Sequence, residues 1–133
     1  MKNKLPKDHE ILVATHNKVK ASEFKQLFLD YNIKTTFSYE LGINEPEENG
    51  KSFKENSIIK AKSALKAGLT VISDDSGLCV TALNGEPGIY SARWAKKYGG
   101  WMGAMEKIYK KLIDKDVADF SAKYYCCLTM AWQ

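Results

Sequence analysis

Asp74-Asp75-Ser76-Gly77 lies between two apolar runs, Leu69-Thr70-Val71-Ile72 and Leu78-Cys79-Val80. Two adjacent carboxylates at the end of a buried strand demand compensation, because an ionised carboxylate taken out of water is costly unless it is paired. The pattern therefore predicts a strand, a turn that holds the acids, and a second strand. An Asx-type turn explains one acid. A second acid, followed by a hydroxyl and a glycine, points to a site for a hard cation and a phosphorylated ligand. If strand geometry persists into the turn, the two side chains point to opposite faces, so that one faces the site and the other anchors the loop.

A chain of 133 residues is one domain's worth, able to bury about two-thirds of its unfolded surface. The excess of 20 basic over 16 acidic residues suits an anionic small substrate or nucleic acid and decides neither. No basic stripe is interleaved with aromatic residues, so no nucleic-acid partner is expected. The cysteines, Cys79, Cys126 and Cys127, are odd in number and form no C-x-x-C pair. Buried thiols in a reducing compartment are expected, not a disulfide framework or a structural zinc. The start of the chain carries no apolar signal region, and no apolar run is long enough to span a bilayer. A cytoplasmic protein with no membrane partner is expected.

Along the chain, residues 1–9 read as a polar tail and residues 10–133 as the domain. Glu10 to Thr15 is a compact apolar run suited to a buried strand. Helical spacing follows, with Phe24, Leu27, Phe28 and Tyr31 on one face. Ile33 to Ser38 reads as a second strand and Gly42 to Gly50 as an acidic loop. Ser52-Phe53-Lys54-Glu55 matches a capping box, so a helix should run to about Ala67 and stop at Gly68. After the carboxylate turn and its flanking strands, which end at Leu83, comes the turn-rich Asn84 to Gly88. Met102, Met105, Ile108 and Leu112 mark another amphipathic helix, and Phe120 to Trp132 a long strand. Strands interleaved with helices predict an α/β domain, a mixed central sheet with flanking helices.

Several groups could carry chemistry. Thr15, Asn17 and Lys20 lie where a strand gives way to a helix, and a helix start favours phosphate. A capping Asn or Thr with a solvated lysine explains the same residues. Glu45, Glu47 and Glu48 precede the capped helix, whose dipole favours them with or without a divalent cation. Asn56 and Lys60 stack on one helical face, either a solvated stripe or a wall reaching an anion. Arg93 follows a glycine-rich turn; it is either a surface charge or a forked partner for carboxylate or phosphate.

In order, these segments resemble the Ham1-like inosine/xanthosine triphosphate pyrophosphatase family. The resemblance rests on Val13-Ala-Thr-His-Asn-Lys-Val-Lys20, Glu47-Glu-Asn-Gly50, Ser52-Phe-Lys-Glu-Asn56 with Lys60, Asp74-Asp-Ser-Gly77 and Leu83-Asn-Gly-Glu-Pro-Gly-Ile-Tyr-Ser-Ala-Arg93. It implies an elongated, two-lobed α/β fold, often a homodimer. The implied reaction is Mg²⁺-dependent hydrolysis of non-standard purine nucleoside triphosphates (ITP, dITP, XTP) to the monophosphate and pyrophosphate. The phosphate loop maps onto Thr15, His16, Asn17, Lys18, Val19 and Lys20. Glu48 maps onto a metal ligand, and Asp75 onto the active-site aspartate that ligates metal or activates water. Asn56, Lys60, Ser76 and Arg93 fall on positions in or beside the substrate site.

The chain departs from the family pattern at Val19, where glycine is frequent, and at Asn49, Ser57 and Trp94. Relatives also continue with a Phe-Gly-Tyr-Asp and later a Ser-His-Arg segment that hold the base. The sequence ends at Gln133, directly after an apolar strand. The expectation is an incomplete domain, its C-terminal part missing, that retains the phosphate and metal half of the site and has weak or no base selectivity. The rival expectation is a catalytically silent nucleotide- or phosphate-binding remnant, or one piece of a split enzyme.

Overall fold

The computed structural model describes residues 9–65 and 68–133. Of the expected polar tail only His9 is among them; its Nε2 lies 2.8 Å from Thr70 Oγ1. The chain divides into two compact units. One holds the described residues up to Gly50, those from Lys54 to Asp74, and Leu128–Gln133; the other holds Lys51–Phe53 and Asp75–Cys127. The elements form a four-stranded mixed sheet of order β2-β1-β3-β4 with four helices.

In the first unit, β1 (Glu10–Val13) is buried along Ile11, Leu12 and Val13, as a parallel strand covered on both faces must be. Its side chains alternate between two clusters. Ile11 and Val13 meet Ala21, Phe24 and Phe28 of α1 (Lys18–Leu29), with Phe37 and Ile72. Leu12 meets Ala61 and Ala64 of α2 (Phe53–Ala64), with Ala14 and Val71. β1 pairs in parallel with β2 (Lys34–Phe37) on one side and with β3 (Thr70–Val80) on the other. Parallel neighbours need crossovers: α1 joins β1 to β2, and α2 lies between β2 and β3. The strand order therefore reverses between β1 and β3, and in open α/β sheets ligands bind beyond the strand ends at such a switch point.

Leu27 and Tyr31 were expected on the buried face of α1, yet both are exposed. The inward face is Ala21, Phe24 and Phe28; Leu27 lies one step round the helix, and Tyr31 falls in the turn beyond its end. The expected end of the second helix falls partly on residues 66–67, outside the described residues. Gly68, expected to stop it, has φ +73°.

The largest departure concerns the acidic motif. No turn interrupts Asp74-Asp75-Ser76-Gly77; β3 runs through it as one strand of eleven residues. Gly77 is there for close approach, not for turning. A Cβ at that position would lie 2.2 Å from the Gly88 carbonyl oxygen and 2.8 Å from Ser91 Oγ. Two acids, a serine and a glycine are turn chemistry only when solvated, and here the packing around them decides.

The second unit has one apolar cluster: Val80, Leu83, Ile108 and Leu112, with Leu78, Trp94 and Val117 against it. Helix α3 (Ser91–Lys97), which the sequence pattern did not announce, precedes α4 (Trp101–Asp114). The face that α4 buries is Ala104, Ile108 and Leu112, whereas Met102 and Met105 are exposed. Gly103 sets this rotation, because a Cβ there would sit 1.8 Å from the Tyr98 carbonyl oxygen. Strand β4 (Ala122–Ala131) is mostly exposed and lies at the sheet edge. All three cysteines are free; Cys126 is exposed, not buried as expected, and Cys79 is half-buried, which pushes its thiol pKa up. Among the described residues, no helix is long and apolar enough to cross a membrane.

Candidate active site

The chain leaves β1 through Ala14-Thr15-His16-Asn17 and enters α1 at the switch point. Asn17 is the N-cap: its Oδ1 accepts the amides of Val19 at 3.0 Å and Lys20 at 3.2 Å. Thr15, itself buried, accepts the Asn17 amide at 3.1 Å. The capping alternative for these two residues is thus realised, but the lysine is not simply solvated. Lys20 Nζ lies 2.7 Å from Asp74 Oδ2, with side-chain exposures of 28% and 5%. Strand β3 continues past the last residue of β1, Val13, which pairs with Ile72, and so carries Asp74 to the start of α1. Lys18 and Val19 begin the helix and point into solvent.

The acidic loop is tied at both ends. His16 Nε2 donates to the Ile43 carbonyl at 2.8 Å, and the Gly50 amide donates to Asn56 Oδ1 at 2.8 Å. Asn56 is almost fully buried, so it is a loop anchor and not part of a solvated stripe. One turn along α2, Lys60 Nζ lies 3.5 Å from Glu48 Oε1, both side chains largely buried. Ser73 Oγ donates to the Ser57 carbonyl at 2.6 Å and holds α2 against β3. The first unit therefore holds a tight Lys20–Asp74 pair at a capped helix start and a looser Lys60–Glu48 pair on α2. Both are candidates to exchange a carboxylate for phosphate, since ammonium groups offer mobile point charges.

The remaining candidates belong to the second unit. Asp75 is buried, Ser76 half-buried, and Arg93 exposed on α3 with its guanidinium 5.0 Å from the Tyr90 ring centre. Asp74, the acid left to anchor the chain when Asp75 takes the site, pairs with Lys20, a partner that the sequence pattern does not announce. The available signal was the cost of burying a second carboxylate, which requires a cation from elsewhere in the chain.

Fold and side chains together define an open α/β domain whose switch point carries lysine and carboxylate groups. The chain belongs to the Ham1 family, whose profile matches residues 11–133. It is 42% identical over 124 residues to a dITP/XTP pyrophosphatase of Zymomonas mobilis subsp. mobilis, covering 92% of this chain and 59% of that protein. A dITP/XTP pyrophosphatase of Staphylococcus aureus is likewise 42% identical over 129 residues, covering 92% and 62%. The solved structure of a HAM1 protein from Coxiella burnetii superposes with a TM-score of 0.81 at 35% identity, covering 92% of this chain and 62% of that one. The chain spans about three-fifths of the length of the curated relatives it matches.

Proposed function

We propose that this chain acts in the hydrolysis of non-standard purine nucleoside triphosphates, such as dITP, XTP and ITP, to the monophosphate and pyrophosphate. One water is consumed, the anhydride bond between the α- and β-phosphates breaks, and pyrophosphate leaves. The observation that carries the reading is Lys20, held by Asp74 beside the capped start of α1. A fixed cation at the positive end of a helix dipole is what a polyphosphate needs there. Relatives named dITP/XTP pyrophosphatase support the choice of substrate.

Mg²⁺ is the proposed cofactor, with Glu48 and Asp75 as its carboxylates. Mg²⁺ takes hard oxygen donors and is commonly held by one or two carboxylates plus substrate phosphates. The residues fit that demand. Asp75 is otherwise engaged in the fold, yet its Oδ2 is buried and accepts no hydrogen bond. Among the described residues no cluster of three or more His, Cys, Asp or Glu could cage a metal, and Mg²⁺ does not require one. When bound, the ion neutralises phosphate charge as a Lewis acid. Lys20 and Lys60 add positive charge to the phosphates, and Asp75 orients the attacking water and accepts its proton. Thr15, His16 and Asn17 shape the loop that receives the phosphates, with Lys18 and Val19 at its helical end. Ser76 and Arg93 are proposed further substrate contacts. A reducing, cytoplasmic setting is proposed from the cysteine pattern, three thiols with no C-x-x-C pair.

The test is product analysis with a panel of nucleoside triphosphates and Mg²⁺. Release of pyrophosphate and monophosphate from dITP or XTP is expected. Release of orthophosphate and diphosphate instead would contradict the reading. The exposed β4 favours a second reading, in which the chain binds nucleotide but turns it over only with a further polypeptide segment on that edge. Nucleotide binding without turnover, converted to turnover when such a segment is added, would establish it.

A further inference from the structure

The acidic loop is tied at its two ends, and the two ties differ in reach. At the exit, Asn56 Oδ1 on α2 accepts the Gly50 amide at 2.8 Å. Gly50 leaves no slack there: a Cβ would lie 2.5 Å from Asn56 Oδ1 and 2.8 Å from Glu55 Cβ. That tie spans six residues and fixes only how the loop enters α2. At the entry, His16 Nε2 donates to the Ile43 carbonyl at 2.8 Å, across 27 residues. A carbonyl oxygen only accepts, so Nε2 carries the proton.

Both ends of this longer tie are themselves held. The Ile43 amide donates to the Ser38 carbonyl at 3.0 Å, and its side chain packs against the cluster of Leu12, Ala14 and Ala61. On the other side, the Ala14 amide donates to the Ile72 carbonyl at 2.8 Å, and Asn17 caps α1. His16 therefore sets the separation between the loop at the start of α1 and the loop that carries Glu48. Beyond Ile43, Glu45 and Glu47 are exposed, and Glu48 is the acid that meets Lys60. Carboxylates this close repel one another, which favours a more open loop. The His16 bond holds the entry against that opening.

We propose that His16 is a positioning residue for the metal carboxylate. Through the Ile43 carbonyl it keeps the acidic loop against the phosphate loop, so that a divalent cation on Glu48 and phosphates at the start of α1 stay in register. The inference rests on the assignment of Glu48 to the metal and deepens it, because it names a group that acts on the cation without touching it.

The probe is Mn²⁺, a hard stand-in for Mg²⁺, titrated into the full chain without nucleotide while electron paramagnetic resonance reads the free ion. His16→Ala is expected to bind Mn²⁺ about 5-fold more weakly than wild type, the scale of one lost hydrogen bond, with unchanged far-UV circular dichroism. His16→Gln, whose side-chain amide donates with a similar reach, is expected to recover most of that loss. In a Glu48→Gln background, His16→Ala is expected to change the affinity by less than about 2-fold, because the carboxylate it positions is gone. Equal Mn²⁺ affinity of wild type and His16→Ala would overturn the proposal, and is the result if His16 touches phosphate alone. An undiminished loss in the Glu48→Gln background would overturn it too, as the mark of general loosening. A wild type that binds no Mn²⁺ would overturn it together with the metal assignment. The expected Mn²⁺ pattern without pyrophosphate release from XTP would sink the hydrolase reading and leave the positioning role standing.

Discussion

Helices α1 and α4 place their apolar residues in opposite ways. In α1 the inward face is fixed by a sheet that needs cover, and Ala21, Phe24 and Phe28 close over Ile11 and Val13. In α4 two apolar stripes compete, and Gly103, pressed against the Tyr98 carbonyl, decides which one turns inward. Periodicity alone identifies a buried face only where the helix has one apolar stripe.

The comparison breaks most sharply on core truncation. Ile11→Ala, at a side chain with no exposure under α1, should destabilise by about 4 kcal/mol in urea unfolding. Met105→Ala on the outer stripe of α4 should change monomer stability by no more than about 0.5 kcal/mol. Comparable losses from the two would contradict the assignment of faces.

Next in size is the buried ion pair of the first unit. Lys20→Ala removes the ammonium 2.7 Å from the Asp74 carboxylate, 5% exposed, and should cost about 3 kcal/mol. Asp74→Ala should cost less, because Lys20 is 28% exposed and its ammonium can reach water. The reverse order in chemical unfolding would show that Asp74 is not held by this pair.

A third change addresses β3. Gly77→Ala would push a methyl against the Gly88 carbonyl and should cost about 2 kcal/mol by overpacking. A neutral result would mean that the glycine serves a turn and not a close approach.

The smallest effect lies at the start of β1. The Thr36 hydroxyl and then Lys34 lower the pKa of Glu10 in the folded chain. A depressed folded pKa stabilises above the unfolded value, and that stability is lost as pH falls through the folded one. Glu10→Gln should therefore slightly lower the Tm at about pH 7, with the difference from wild type vanishing below about pH 4. A difference that grows in acid would give the wrong sign.

Much of this was legible beforehand, for definable reasons. β1, β2 and α1 follow from local pattern, because both faces of a parallel strand read as one apolar run. Thr15 to Lys20, Glu48, Lys60 and Asp75 could be singled out only as candidates, from chemistry and family resemblance. The path of β3 through Asp74 and Asp75 could not, because it depends on a lysine 54 residues away and on the close approach of Gly88 to Gly77. Nor could α3 or the outward face of α4, which are set by packing between segments and not by periodicity within one.

Asp75 is proposed to serve hydrolysis and not the stability of β3. Pyrophosphate release from XTP with Mg²⁺, measured for wild type and Asp75→Asn at equal folded concentration, tests it directly. In the proposed role, loss of the Asp75 carboxylate should lower the rate at least about 100-fold with the fold retained. Equal rates for the two proteins would contradict the claim.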